Sequence, residues 1–460
     1  MAKYKAYPEY KDSGVEWLGE LPAHWTTLAI KHVAQLNPSK SCISIEKMKG
    51  MCSFIPMEKL KFNSLCLDEI KNVSDVYNGY TYFENEDILI AKVTPCFENK
   101  NMVVAHDLNN GMGFGSSEIY VLRCNDIINN DFLFYRLQED NFMSIAEGAM
   151  TGAGGLKRVP SEVLNNFKFG LPNKKEQSII VDFLKHETAK IDNLIEKQQQ
   201  LIELLKEKRQ AVISHAVTKG LNPDVPMKDS GVEWLGEVPE HWELVPLKYL
   251  CNFSGGGTPT KDNLSYWQGG TVPWVSPKDM KSFWISETQD YVTPKAVSES
   301  STNYVEEGSL LMVVRSGILQ RNIPVAINIV KVTMNQDMKA LRFNERMNAH
   351  YAAYFINGNV NSLLLEWTKE GATVESIEHE YLANGLIPVP PIDEQHSIIK
   401  SISDQMIRFE LLEEKALTGI RLLQERRTAL ISAAVTGKID VRDWIAPDTQ
   451  DVEVSQEATA

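Results

Sequence analysis

The chain has 460 residues, of which 43% are hydrophobic and 23% are charged. It contains no apolar run near the roughly 18 residues of a membrane span, and its start lacks the apolar core of a secretory signal. These features exclude a membrane protein and predict a cytoplasmic location. The formal net charge of −14 excludes binding to nucleic acid by bulk attraction, so any such contact must come from local Lys and Arg patches.

The first element along the chain is a motif that occurs twice. The run Asp-Ser-Gly-Val-Glu-Trp-Leu-Gly-Glu occupies residues 12–20 and returns 217 residues later at 229–237. The match continues through a Pro-x-His-Trp segment, at 22–25 and again at 239–242. An internal repeat of this length divides the chain into two halves of ordinary domain size and predicts pseudo-twofold symmetry.

Each half ends in a long stretch with helical periodicity. Both stretches follow proline and carry Glu-Gln in the first turn, at 176–177 and 394–395, and both end before glycine, at Gly220 and Gly437. A heptad-like apolar seam runs along each of them. Its predicted members are Ile180, Leu184, Ile191, Leu194, Leu201, Leu205 and Val212 in the first stretch and Ile398, Ile402, Phe409, Leu412, Leu423 and Leu430 in the second. We expect the two helices to pair with each other as an antiparallel coiled coil.

The segments between the repeated pieces, roughly 26–170 and 243–388, are mildly acidic and do not resemble each other closely. Alternating apolar runs broken by Gly- and Asn-rich turns indicate mixed α/β domains, of the α+β kind. The predicted division is a first domain at 1–170, a helix at 171–220, a second domain at 221–388, a helix at 389–438 and an acidic tail at 439–460.

This arrangement, with the repeated signature, resembles the specificity subunit of type I restriction–modification enzymes over essentially the whole chain. Runs at 92–100 and 113–118 are similar to one type of recognition domain in that family. The runs 255–259, 266–270, 273–279 and 335–337 resemble a different type. The resemblance implies two target-recognition domains, each reading one half of a split DNA target, and the unlike domains imply an asymmetric target.

The same resemblance implies the partners and cofactors. Double-stranded DNA and two methyltransferase subunits are expected, the latter docking on the two long helices, and two restriction–translocase subunits are a further expected partner. S-adenosylmethionine, ATP and Mg²⁺ are expected to belong to the partner subunits, with no cofactor in this chain. The chain itself is expected to be non-catalytic.

Polar side chains around turns are candidates for reading base edges, because Arg and Lys suit guanine, Asn and Gln suit adenine, and Asp and Glu suit cytosine. Lys157 and Arg158, which follow Gly152, Gly154 and Gly155, are candidates for phosphate contacts. The full set of candidates is Lys92, Thr94, Glu98, Asn99, Lys100, Ser116, Lys157 and Arg158 in the first half, and Ser276, Lys278, Asp279, Arg315, Gln320, Arg321, Asn335 and Gln336 in the second. For each residue alone, a solvated polar loop is an equally good reading.

Two other patterns favour structural roles. The glycine-rich runs 111–115 and 255–257 lack both the P-loop and the dinucleotide-binding patterns, so close backbone approach or a tight turn is the better interpretation. The repeated tryptophans and histidines lie in the part common to both halves, whereas residues that read different half-sites must differ. We therefore expect them to pack the scaffold or a protein partner.

Two other classes of function remain open from the sequence. An adaptor could use the coiled coil to join proteins and the two inserts to bind protein. A fused enzyme is disfavoured because no methyltransferase, nuclease or nucleophile motif has the required context, and the six cysteines lack zinc-site spacing.

Overall fold

The computed structural model describes residues 4–153, 155–368 and 375–446. The described residues fall into two compact units: those within 1–198 and 418–460 form unit 1, and those within 199–417 form unit 2. The helices are α1 (Ile45–Met48), α2 (Val73–Val76), α3 (Asn130–Leu137), α4 (Asp140–Gly148), α5 (Ser161–Asn166), α6 (Lys174–Lys219), α7 (Pro294–Glu299), α8 (Ala349–Gly358), α9 (Val360–Trp367), α10 (His379–Asn384) and α11 (Ile392–Val435).

Each unit also contains many short strands. Unit 1 contains β1 (Tyr10–Asp12), β2 (Glu20–Pro22), β3 (Thr26–Ala29), β4 (Ala34–Leu36), β5 (Met51–Ile55), β6 (Leu60–Lys61), β7 (Ser64–Leu65), β8 (Ile70–Asn72), β9 (Thr81–Glu84), β10 (Ile88–Ala91), β11 (Met102–Val104), β12 (Met112–Gly115), β13 (Ile119–Cys124), β14 (Thr151–Ala153), β15 (Leu156–Arg158) and β16 (Lys168–Leu171). Unit 2 contains β17 (Met227–Asp229), β18 (Glu237–Pro239), β19 (Glu243–Pro246), β20 (Cys251–Gly255), β21 (Val272–Val275), β22 (Trp284–Ile285), β23 (Asp290–Val292), β24 (Leu310–Val313), β25 (Val325–Asn328), β26 (Thr333–Met334), β27 (Met338–Phe343) and β28 (Leu386–Val389).

The main sheets of the two units share one strand order although the sequences of the units diverge. The main sheet of unit 1 has the order β4-β13-β10-β11, and that of unit 2 has the order β20-β27-β24-β25 with β22 added at the edge. In each unit a second sheet pairs one strand parallel to a later one, β5 with β12 and β21 with β26. The predicted mixed α/β fold with an internal repeat is confirmed.

The central strand of each main sheet is buried on both faces. In β10, Ile88 and Ile90 pack toward the helices, while Leu89 and Ala91 pack toward the second sheet. Because side chains alternate between faces along a strand, one four-residue apolar run supplies two cores. The run Leu310–Val313 of β24 divides in the same way between two core clusters. Each unit therefore places its main sheet between helices and a second sheet.

The two long helices begin and end near the predicted residues. α6 has 46 residues and α11 has 44, and each is followed by a glycine with positive φ, +78° at Gly220 and +74° at Gly437. A left-handed backbone conformation at this position ends a helix, and glycine adopts it at the lowest energetic cost. Each unit thus contains the start of one long helix and the end of the other.

Within unit 2 the two long helices run antiparallel. Arg209 of α6 lies 3.9 Å from Glu410 of α11, and the charge of Glu413 acts on Lys206, one turn earlier on α6. Residue numbers therefore fall along one helix as they rise along the other. In unit 1, Arg427 of α11 donates from Nε to Asp192 Oδ1 of α6 at 2.9 Å.

Three residues predicted in the apolar seam are exposed, and this part of the prediction is wrong. Leu194, Leu201 and Leu412 keep 47%, 41% and 46% of their surface accessible. On α6 the inward positions are Ile195 and Ile202, each one residue later. Apolar residues stand at both neighbouring positions, so the periodicity alone did not show which of them faces inward.

The repeated signature belongs to the frame of each unit, as the structural reading of its tryptophans and histidines predicted. Trp25 and Trp242 are fully buried. His24 Nε2 lies 2.8 Å from Glu176 Oε2 at the start of α6. The corresponding His241 lies 2.8 Å from Glu394 at the start of α11.

Part of the predicted acidic tail packs on unit 1. Ile439 and Val441 are buried, and the Trp444 ring lies edge-on to Phe183 of α6 with centroids 5.7 Å apart. Residues 447–460 of the tail lie outside the described residues.

Candidate nucleic-acid interface

In unit 1 the candidate residues meet where a hairpin docks on the end of a strand. The β14–β15 hairpin places Lys157 and Arg158 beside the segment that follows β10. Thr94 Oγ1 donates to Gly155 O at 2.9 Å and accepts from Lys157 N at 3.0 Å. Thr94 therefore holds the hairpin to the strand and supports the candidate surface. Gly154 lies outside the described residues.

Arg158 forms an ion pair at this junction. It donates from Nε and Nη2 to the two carboxylate oxygens of Glu118, at 2.9 and 2.8 Å. The hydrogen bond from Arg158 lowers the pKa of the Glu118 carboxyl, so this group stays charged at neutral pH. Lys92 lies beside the pair with its ammonium group 5.1 Å from the centre of the Tyr120 ring. The Ser116 hydroxyl accepts from the Glu118 backbone N–H at 3.2 Å.

The turn after β10 carries the remaining candidates of unit 1. Glu98 and Asn99 are exposed. Lys100 is instead directed toward the α3–α4 junction, where its ammonium group donates to Gln138 O at 2.8 Å and lies 3.4 Å from Asp140. The structure thus brings Lys92, Thr94 and Arg158 together and turns the Lys100 side chain toward another element.

In unit 2 the candidates surround a cleft of about 590 Å³. Four of the candidates line it. The complete lining is Thr258, Lys261, Trp267, Trp274, Ser276, Pro277, Lys278, Asp290, Asn335, Gln336 and Asp337. Two indole rings, two lysines and several amide and carboxylate groups give the cleft apolar faces with donors and acceptors at its edge, a composition suited to bases and their sugar–phosphate backbone.

The other candidates of unit 2 differ in role. Asp279 accepts from Ser276 N at 2.8 Å and from Gln289 N at 2.9 Å, so its carboxylate closes a turn. Arg315 donates from Nε to Asp337 Oδ1 at 2.7 Å. Gln320 and Arg321 are exposed around the end of a 3₁₀ turn.

Sequence reasoning did not select several residues that the structure places in these surfaces. Glu118 and Asp337 stood inside motifs already singled out, but no spacing rule marked them as partners of arginines distant in sequence. Trp267 also stood inside a motif already singled out, at 266–270, and Lys261 closely follows the run 255–259; both line the cleft. The grouping comes from the sheet topology, which joins segments that are distant in the chain.

The glycine-rich runs allow close packing of backbone, as predicted. A Cβ on Gly113 would lie 2.3 Å from the Phe83 ring, and one on Gly256 would lie 1.8 Å from Asn335 O. Gly256 therefore lets the 255–257 segment lie against the Asn335 edge of the cleft. Among the residues that the structure describes, no group of His, Cys, Asp and Glu could hold a metal ion, and no helix is long and apolar enough to cross a membrane.

The fold and these surfaces define a class of protein, in which an internally repeated α/β frame carries two unlike polar surfaces. A family profile described as "Type I restriction modification DNA specificity domain" matches residues 22–204 and 239–420. The chain belongs to this family.

Individual relatives agree with the family match. The chain is 36% identical over 213 residues to the EcoAI specificity subunit of Escherichia coli, covering 44% of this chain and 35% of that protein. It is 35% identical over 195 residues to the EcoR124I/EcoR124II specificity subunit of the same organism, covering 42% and 44%. The matched region thus spans less than half the length of either relative.

Relatives that match over most of the chain have lower sequence identity. A putative MjaX specificity subunit of Methanocaldococcus jannaschii is 22% identical over 448 residues, covering 92% of this chain and 96% of that one. A chain of a solved type I R-M system superposes with a TM-score of 0.71 at 15% identity, covering 90% and 98%. The HsdS subunit from Thermoanaerobacter tengcongensis gives 0.56 at 16% identity, covering 91% and 98%. These structures support the fold.

Proposed function

We propose that this chain is the DNA sequence-recognition subunit of a type I restriction–modification complex, and that each unit reads one half of a split, asymmetric target. The observation that carries the proposal is the contrast between one strand order in both main sheets and the unlike polar side chains of the two units. A common frame suits a twofold-symmetric duplex, while unlike side chains suit unlike half-sites.

The long helices supply a surface for partner subunits. In unit 2 several large apolar side chains of α6 and α11 point to solvent, including Leu204 at 61% and Ile407 at 64% exposure. The others are Leu201, Leu411, Leu412 and Leu417. Contiguous exposed apolar patches mark protein interaction sites, and these side chains lie on two helices that are paired through Arg209 and Glu410. We propose that two methyltransferase subunits dock on these helices, and that restriction–translocase subunits join the assembly.

The chain is proposed to be non-catalytic and to act by positioning its partners on DNA. In this proposal S-adenosylmethionine, ATP and Mg²⁺ serve the partner subunits. The contribution of this chain is to bind base edges and to present the helices, so its substitution should change where the complex acts and leave its chemistry intact.

A domain exchange tests the recognition role. Residues 26–170 are replaced by the corresponding segment of a relative, and methylated bases are mapped by single-molecule sequencing in cells that carry the chain with its methyltransferase. We expect new letters in one half of the target and unchanged letters in the other. Unchanged letters in both halves, with the complex intact, would favour a protein adaptor and defeat the proposal.

The isolated chain is expected to bind DNA weakly. Its net charge of −14 gives little counterion release, so most phosphate contacts must come from the partners. Gel-shift titration should therefore show tight, sequence-specific binding only after the methyltransferase is added. Tight specific binding by the chain alone would contradict the assignment of phosphate contacts to the partners.

The docking role is tested by charge on the exposed helix face. We expect Leu204→Glu with Leu411→Glu to abolish co-purification with the methyltransferase, because burying two carboxylates in an apolar contact is costly. Leu365→Glu is the matched control, since Leu365 is 86% exposed and lies on α9. Equal loss with the control variant would rule out a specific docking face.

A further inference from the structure

Three backbone hydrogen bonds lie at the junction between the hairpin and the main sheet of unit 1, and two of them join the hairpin to the sheet. Lys92 N donates to Glu118 O at 3.0 Å, Thr94 N donates to Lys157 O at 3.0 Å, and Val159 N donates to Lys92 O at 2.9 Å. These bonds connect the end of β10, the residue before β13 and the end of β15.

Unit 2 repeats this pattern with different residues. Val314 N donates to Asp337 O at 2.8 Å, Ser316 N donates to Glu375 O at 3.2 Å, and Ile377 N donates to Val314 O at 2.8 Å. The bonds connect the end of β24, the residue before β27 and the segment before α10. The three bonds make Glu118 equivalent to Asp337, although the two domains have dissimilar sequences.

Each of these equivalent acids is paired with an arginine, but the arginine comes from opposite sides of the junction. The junction contains one bridged residue pair in each unit, Val93 with Arg158 in unit 1 and Arg315 with Ser376 in unit 2. The arginine is the hairpin member of the pair in unit 1 and the sheet member in unit 2. Two different sequence solutions therefore place a guanidinium group on the same carboxylate position.

The geometry of both ion pairs leaves one edge of the guanidinium group free of the carboxylate. Arg158 uses Nε and Nη2 for Glu118, and Arg315 uses Nε and Nη2 for Asp337, at 2.7 and 2.6 Å. The remaining edge, made of Nη1 and Nη2, is the shape that binds guanine O6 and N7. The arginine side chains are 44% and 53% exposed.

The ion pairs with Glu118 and Asp337 suit the two arginines to reading bases more than to contacting phosphates. An arginine whose charge is balanced by a carboxylate adds little net attraction for phosphate, which depends on uncompensated cations. A carboxylate that fixes the plane of the guanidinium group reduces the rotamer entropy lost when it binds a flat base edge. Orientation matters for base reading, whereas a phosphate contact requires mainly charge.

On the basis of the proposed function, we propose that Glu118–Arg158 and Asp337–Arg315 are matched guanine readers, one in each unit, with the acid as the positioning residue. This role differs from the phosphate contact that the sequence suggested for Arg158. Each half-site is then expected to contain one G·C pair read from the same place in the fold.

The test uses the complete complex with its methyltransferase and maps methylated sites. R158A should relax one G·C position in the half-site of unit 1, and R315A should relax one in the other half-site, each by about five- to 150-fold in preference. R158K keeps the positive charge but loses the paired donors of the guanidinium group, so it should relax the same position. This variant covers the case in which R158A fails to assemble. E118Q should weaken the preference for G·C at that position less than the arginine variants do. E118D keeps a carboxylate and should restore the preference.

The controls distinguish base reading from charge. R346A removes an exposed arginine of unit 2 that pairs with Glu243 at 2.6 Å and should leave every letter unchanged. The salt dependence of DNA binding by the complex should keep its slope in R158A, whereas loss of a phosphate contact lowers the slope by about 0.9.

Two results would overturn the proposal: unchanged letters in both arginine variants, or a uniform loss of methylation in R158A and R158K without a change of letters. Relaxation of letters by R346A to the same degree would also overturn it. If the domain exchange changes one half-site while the arginine variants change none, this inference fails and the proposed function stands.

Discussion

The two units treat the same carboxylate differently. Glu176 in unit 1 accepts from Tyr7 at 2.8 Å and from Trp25 at 3.0 Å, and also lies against His24. Glu394 in unit 2 lies against His241, and Trp242 Nε1 is buried without a hydrogen-bond partner in the described part of the chain. The repeated signature therefore makes different hydrogen bonds in the two units, and one of the partners in unit 1, Tyr7, lies before the repeated run.

A second difference lies in the helix that packs on each main sheet. Asn129 and Asn348 precede α3 and α8, and each donates its backbone N–H to the glutamine in the first turn of a long helix, at 2.7 and 2.8 Å. The seventh residue of α3 is Arg136, which is fully buried and ion-paired with the buried Glu139, whereas the seventh residue of α8 is the buried Phe355. The same frame therefore accepts a charged pair or an apolar side chain.

The largest expected effect tests whether the buried ion pair of unit 1 can be replaced by apolar side chains, as found in unit 2. Arg136→Met should destabilise unit 1 by about 3–5 kcal/mol, because it leaves Glu139 buried without its partner. The double variant Arg136→Met with Glu139→Leu should recover most of that loss, as the apolar helix of unit 2 suggests. Denaturant titration with hydrogen exchange resolved by unit measures both. A double variant as unstable as the single one would show that unit 1 needs the ion pair.

A smaller effect tests the two carboxylates of the repeated signature. Glu176→Ala should cost about 2–4 kcal/mol, because the Tyr7 hydroxyl and Trp25 N–H lose their buried acceptor. Glu394→Ala should cost about 1 kcal/mol, since its partner His241 is exposed to solvent. The measurement is the free energy of unfolding of the substituted unit. The other unit of the same variant, which is unchanged, serves as the internal control. Equal costs would mean that the extra hydrogen bonds of unit 1 contribute nothing.

The smallest effect is a pH dependence of unit 2 that His350 contributes. Burial lowers the pKa of His350, whose ring stacks on Tyr354 and Phe283. As the pH falls, His350 therefore becomes protonated in the unfolded chain at a higher pH than in the folded unit. The stability of unit 2 should fall as the pH drops below about 6.5. His350→Phe keeps a stacked ring and should weaken that dependence. An equal slope in the variant and the parent would assign the effect to other groups.

Much of the candidate surface could be predicted from the sequence, but its side-chain contacts could not. The motifs selected segments that include Ser276 and Asn335, which line the cleft of unit 2, and Arg158, which lies at the hairpin junction of unit 1. The partners of those side chains could not be predicted, because Arg158 meets Glu118 across forty residues of chain and Arg315 meets Asp337 across a strand pairing. Lys100 was grouped with its sequence neighbours, whereas its turn carries the ammonium group toward Gln138.

The sequence by itself determined the repeat, the α/β character, the ends of the two long helices and the family. Those properties follow from local patterns: apolar periodicity, proline before a helix, glycine after it, and a motif that recurs in register. The tertiary structure alone decided which of two neighbouring leucine or isoleucine positions faces inward, and that the main sheets of two dissimilar domains share one strand order. It also decided that an acid and an arginine meet at the same place in both units. Such contacts depend on strand pairing between distant segments, and short-range sequence patterns carry little information about them.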